Sequence, residues 1–176
     1  MDAPLTEKGR QQAYILQPTV QALQPQPELV VMSPSCRALQ TGVMVFEHLI
    51  GKIPFLAHEM VREETGVHVC DKRRPTSRQA MEFPMVDFNL LDTEEDTIFR
   101  EDRRETKMEL GARIYSFFEW LSSIPESHVA VASHSGWLFA IFNACCECDE
   151  SLKPWFQTGE IRSVKLVFTK NEAPQT

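Results

Sequence analysis

Three segments place chemically capable side chains just after strand-like runs, the position at which open α/β sheets bind their ligands. The first is Ser33-Pro34-Ser35-Cys36-Arg37, which follows Leu29-Val30-Val31-Met32. Arg37 falls in the first turn of the next helix, where the helix dipole disfavours a cation unless it serves an anion. With backbone N–H groups aimed the same way, its guanidinium can clamp phosphate oxygens bidentately. An ordinary surface ion pair is the alternative use of such an arginine. The second segment is Ala130-Val131-Ala132-Ser133-His134-Ser135-Gly136-Trp137, in which His134 stands between a strand end and a helix start. A histidine there can donate to an oxyanion or move a proton, and is expected to hold an anion better at mildly acidic pH, where the imidazole is charged. A hydrogen-bonded structural histidine is the alternative. The third is Val61-Arg62-Glu63-Glu64-Thr65-Gly66 with Cys70-Asp71-Lys72-Arg73-Arg74. A carboxyl group beside a phosphate is driven towards protonation by like charge, which makes Glu63 a candidate general acid for an ester leaving group. Lys72, Arg73 and Arg74 could hold another anionic part of a substrate, or simply belong to a solvated charged loop; with Pro75 they form only a weak localisation-like match.

Two rival chemistries fail on spacing. A serine-hydrolase elbow, Gly-x-Ser-x-Gly around Ser135, would need glycines where Ser133 and Trp137 stand, and no histidine follows Ser135 to complete a triad in that fold's order. Cys145, Cys146 and Cys148 crowd together, but consecutive residues of a helix point in different directions and no partner pair of ligands accompanies them. They are expected to be core or surface thiols, and no metal or other cofactor is expected. Met81, Met85, Met108 and the aromatic face around Phe117 read as core.

The elements that must position these side chains alternate between short apolar runs and amphipathic helical stretches, an α/β pattern. Thr6 can cap a helix running to about Leu16, where Pro18 is expected to break it and Thr19 to Leu23 to add a further turn. Leu29–Met32 predicts a buried strand, followed by a helix from about Ser35 to Ile50 that ends where Gly51 can adopt a left-handed conformation. Phe55-Leu56-Ala57 predicts a second strand. From Glu59 to about Arg104 the chain is polar and irregular, with Ser77 as the candidate cap of a short helix. Leu110, Ile114, Phe117, Phe118 and Leu121 share the best-defined helical face. His128 to Ser133 predicts a strand, Gly136 to about Cys146 a buried helix, Arg162 to Phe168 a last strand, and 171–176 a frayed tail.

The 176 residues, 43% hydrophobic and 24% charged, suit one domain over 1–170 that buries roughly 70% of its unfolded surface without disulfides or a structural metal. Eighteen basic against 25 acidic residues leave a net charge of −7, which argues against nucleic acid or an anionic membrane as the main partner, so any anion must be bound locally. Five cysteines, an odd number without scaffold spacing, suit free thiols in a reducing compartment, by default the cytoplasm. No apolar run is long enough to span a membrane, and Met1-Asp2-Ala3-Pro4 does not read as a signal peptide.

In chain order, Asp2-x-x-Leu5-Thr6-x-x-Gly9-x-x-Gln12-Ala13, Ser33-Pro34-x-x-Arg37-Ala38-x-Gln40-Thr41, Glu63-x-x-Gly66 with Cys70-Asp71-x-Arg73-Arg74, Ser133-His134-Ser135-Gly136 and Glu160-Ile161-Arg162-Ser163 resemble the histidine phosphatase superfamily, the phosphoglycerate mutase-like proteins, and most closely its eukaryotic small-molecule branch. The resemblance implies a three-layer α/β/α sandwich with a mostly parallel sheet. It implies a small phosphorylated molecule as ligand, and phosphoryl transfer or phosphomonoester hydrolysis through a phosphohistidine, without metal or nucleotide. Arg37 and His134 would hold phosphoryl oxygens, Glu63 would protonate the leaving oxygen, and Arg73 or Arg74 would contact the rest of the substrate.

The family's nucleophile lies in an Arg-His-Gly motif at the end of a strand upstream of the Leu-Thr-x-x-Gly helix, and this sequence contains no such motif; His48, His58, His68 and His128 fit no equivalent context. The expectation is therefore a domain lacking its first strand and its nucleophile together, whether as a truncated gene product or as a natural short form. Two functions follow: a phosphatase or mutase whose first segment is elsewhere, or a non-catalytic phosphate-binding or protein-interaction domain with an open sheet edge.

Overall fold

The computed structural model describes residues 2–169. Its centre is a three-stranded sheet of β1 (Leu29–Met32), β2 (Phe55–Ala57) and β3 (Val129–Ala132), in the order β2-β1-β3. Both pairs are parallel, with Val30 opposite Phe55 on one side and Ala130 on the other. β1 is buried at every position because it is central and covered on both faces, as a continuous apolar run requires.

Alternation along β1 sends Val30 and Met32 into one core and Leu29 and Val31 into another. The first core lies under α1 (Glu7–Gln21) and α2 (Cys36–Val45), and the second under α4 (Lys107–Ser123) and α5 (Ser135–Ala140). This is the expected three-layer α/β/α arrangement. α4 starts at a capping box, Thr106 with Glu109, and turns Leu110, Ile114 and Phe117 inward as its spacing predicts. α2 stops at Val45, and a 3₁₀ turn over Glu47–Leu49 leads to Gly51, whose φ of 75° fits its expected role.

Several local expectations are corrected. α1 runs through Pro18 instead of breaking there; the proline is three residues from the helix end, and the turn beyond it buries Val20 completely. The short helix α3 (Thr76–Glu82) has Pro75, not Ser77, at its N-cap, and the Ser77 amide and hydroxyl both donate to the Glu94 carboxylate. α5 ends at Ala140 and passes into a π-helical turn over Ile141–Cys145. Arg162 to Phe168 is not a strand: among the described residues β3 pairs only with β1, and a groove separates its other edge from this segment. Val164, Leu166, Val167 and Phe168 are consequently exposed. The tail 171–176 lies outside the described residues. No helix among the described residues is long and apolar enough to cross a membrane.

Candidate active site

The C-terminal ends of β1 and β3 deliver two polar turns side by side. Ser33 follows β1 and His134 follows β3, and the His134 Nε2 lies 2.8 Å from the Ser33 hydroxyl and 3.2 Å from that of Ser35. Glu63 reaches the same place from the loop after β2. Its carboxylate accepts from the backbone amides of Gly136 at 3.2 Å, Trp137 at 3.0 Å and Glu64 at 3.0 Å. The glycine at 136 has a steric reason: a Cβ there would run into the Glu63 carboxylate. Arg37, Glu63, Ser133, His134 and Ser135 all line one wide groove of 1340 Å³, whose apolar part continues along the free edge of β3 between the two cores.

Burial holds His134 well below the usual imidazole range, and the positive charges of Arg37, Arg62 and Arg113 add to the effect. The same burial disfavours the charged imidazole, so in the fold as described its role is that of a hydrogen-bonding group between Ser33 and Ser35. Arg37 is also differently engaged. It donates to the Cys70 carbonyl at 2.7 Å and to Asp71 at 3.1 Å, and Asp71 accepts a second arginine, Arg104, at 2.9 Å. The first amide of α2, that of Cys36, is taken by Asp2 at 2.9 Å. An internal carboxylate thus accepts from each of three donor groups: Asp71 from Arg37, Asp2 from the first amide of α2 and Glu63 from the amides at the start of α5.

Of the five expected site residues, three converge and two do not. Arg73 is buried and faces away from the groove: it ion-pairs with Glu59 at 2.5 Å and donates to the carbonyls of Arg74, Thr93, Glu94 and Glu95. The expected substrate contact by Arg73 is corrected to the tying of a loop that has no regular structure of its own. Arg74 pairs with Asp2 at 3.4 Å and Glu82 at 2.7 Å, close to the start of α2 but outside the groove lining.

Sequence reasoning gave no role to Asp71, the competitor for Arg37, or to Arg113, which is buried on the apolar face of α4. Arg113 was detectable, because a cation one turn from Leu110 and Phe117 on a core-facing stripe requires a buried partner. Asp71 announced itself only as a charge in a charged loop.

The sequence model of the histidine phosphatase superfamily (branch 1) matches residues 1–174. Over 199 residues the chain is 36% identical to Phosphoglycerate mutase-like protein 1 of Arabidopsis thaliana, a match covering 94% of this chain and 71% of the relative. It is 28% identical over 184 residues to a probable phosphoglycerate mutase of Arthroderma benhamiae, covering 99% of this chain and 54% of that one. Among solved structures it resembles the ecdysone phosphate phosphatase of Bombix mori, crystallised with tungstate, at a TM-score of 0.50 and 14% identity over 92% of this chain and 65% of that one.

Proposed function

The chain belongs to the histidine phosphatase superfamily, and from that premise we propose that Arg37, Glu63 and His134 form the oxyanion-holding and proton-donating part of a phosphomonoester site. The observation that carries this reading is their convergence, from the start of α2, the turn after β2 and the turn after β3, on one groove at the C-terminal ends of parallel strands. In use, a phosphate displaces Asp71 from Arg37, which then binds two of its oxygens, while His134 donates to a third. Glu63, beside the same phosphate, delivers a proton to the leaving oxygen.

In this reading the three groups hold and protonate, and none of them is assigned the attack. The reaction of the full family fold is phosphoryl transfer through a phosphohistidine, and this chain by itself has no such turnover, because bound phosphate without an aligned nucleophile leaves the proximity advantage unused. The free edge of β3 supports this reading. It runs directly into His134, and a further strand paired there would end beside the candidate site. The same edge supports a second reading, a non-catalytic phosphate-binding or interaction domain that captures a strand from a partner.

The test compares the chain as given with the same chain extended by a strand ending in Arg-His-Gly, using a generic phosphomonoester and trapping any acid-labile phosphoenzyme. Turnover only in the extended form is the expected result. Metal-independent hydrolysis by the chain as given, abolished by His134→Ala, would overturn the reading and make His134 the nucleophile.

A further inference from the structure

The turn that carries Glu63 into the groove belongs to no helix or strand beyond a single 3₁₀ turn over Glu59–Val61, yet its four consecutive carbonyls are all engaged by side chains. Arg113 takes three of them, donating to Met60 at 2.9 Å, Arg62 at 2.8 Å and Glu63 at 3.1 Å. The fourth, that of Val61, accepts from the Ser133 hydroxyl at 2.6 Å. Arg113 is itself held by Glu105 through a two-pronged ion pair, 2.9 Å from Nε and 2.7 Å from Nη2. Glu105 also accepts from the Thr65 amide at 3.3 Å, two residues past Glu63. Arg113 and Glu105 are both almost fully buried, at 6% and 7% side-chain exposure, so the fork keeps its geometry out of competing water.

We infer that Arg113, locked by Glu105, and Ser133 are positioning residues that fix the Glu63 carboxylate against the Gly136 and Trp137 amides and so set its distance from His134. The inference rests on the reading of Glu63 as the proton donor, and two ties from different elements support it. Ser133 immediately precedes His134, so one hydroxyl ties the strand end bearing the histidine to the turn bearing the acid. Arg113 ties that turn to α4, whose Leu110, Ile114 and Phe117 are buried in the second core. The acid is therefore referenced to both neighbours of the groove rather than to its own irregular loop. Lysine at 113 would keep the charge and lose the fork, since one ammonium cannot serve three carbonyls and a carboxylate in these directions.

The experiment follows the Gly136 and Trp137 amide proton resonances by NMR in the chain as given, with Glu63→Ala marking where they lie when no carboxylate accepts from them. In Ser133→Ala and Arg113→Lys both resonances are expected to move most of the way to the Glu63→Ala positions, while Ser133→Thr restores them. Leu49→Ala, which weakens the opposite core, is expected to leave them in place. Unmoved resonances in folded Ser133→Ala and Arg113→Lys would overturn the inference, as would an equal movement in Leu49→Ala or a failure of Ser133→Thr to restore them. Should Arg113→Lys not fold, the serine pair decides. The readout records position and not turnover, so its failure is separable from failure of the catalytic reading.

Discussion

The two edges of the sheet are finished to different degrees. At β2 the outer edge is covered: the Ala57 amide donates to the Asp87 carbonyl and the Asp87 amide to that of Phe55. Beyond it, the long irregular stretch is tied internally by buried ion pairs, Arg62 to Asp96 and Arg73 to Glu59. At β3 the strand is only half-buried, and the apolar groove beside it ends at residues 161–168, whose large side chains are exposed. The contrast teaches that regular secondary structure is a poor guide here to how heavily a region is cross-tied. The irregular side is held by buried ion pairs and hydrogen bonds, while the strand on the other side has an outer edge that pairs with no strand among the described residues. The candidate site lies on the seam, with Arg37 tied to the finished side and His134 carried by the unfinished one.

Breaking the finished side should have the largest effect. Asp96→Ala leaves Arg62 buried without its bidentate partner and is expected to cost about 3–5 kcal/mol, read by chemical denaturation. Burial alone would raise the Asp96 carboxyl, but hydrogen bonds and charge from Arg62 and the amides of Phe99 and Arg73 outweigh it and hold it at about 2, below the ordinary 3.8. A folded value below the unfolded one means that this stabilisation is complete above the unfolded value and is lost as pH falls through about 2. Wild type should therefore lose stability between about pH 4 and pH 2 more steeply than Asp96→Ala. Equal acid slopes would assign the network no share in acid stability.

The seam comes next. Arg37→Ala should lower phosphate affinity by roughly ten- to a hundredfold, the worth of about 1.5–3 kcal/mol for hydrogen bonds to a charged group. Calorimetric titration showing equal affinity would sever the link between Arg37 and the anion. Asp71→Asn sharpens the same point in the other direction: with its competitor neutralised, Arg37 should bind phosphate about five- to tenfold more tightly, roughly 1–1.4 kcal/mol. Unchanged affinity would show that Asp71 does not compete.

The smallest effect is expected on the unfinished side. Val164→Lys with Leu166→Lys should change unfolding free energy by no more than about 0.5 kcal/mol, because both side chains are exposed, and should raise solubility. A larger loss would mean that the segment packs against the groove in solution.

The sequence made the layers, the three strands and the meeting of Arg37, Glu63 and His134 legible, because strand ends and helix starts are local signals and the ordered motifs add to them. It misled where a local signal depends on a distant partner. Arg162–Phe168 alternates like a strand, but alternation cannot supply an edge to pair with. Arg73 looks like a ligand for anions, but a guanidinium with five donors serves loop carbonyls equally well, and nothing local distinguishes the two uses. The strand-end position of His134 is a local signal, whereas the burial and three neighbouring arginines that hold its imidazole below the usual range are properties of the assembled fold.

The register of β1 has a consequence for how the molecule comes into being. Val30 pairs with Phe55 on one side and with Ala130 on the other, and the second loop is about four times as long as the first. Each doubling of a loop adds about 0.6 kcal/mol to its closure, so β1, α2 and β2 can assemble early during synthesis while β3 docks last. Pulse-labelled hydrogen exchange should find β2 amides protected before those of β3. His134 enters only with that final docking, as do the Gly136 and Trp137 amides that hold the Glu63 carboxylate, so a nascent chain can pair Arg37 with Asp71 while Glu63 has no seat, and any contact formed in that interval competes with completion of the site.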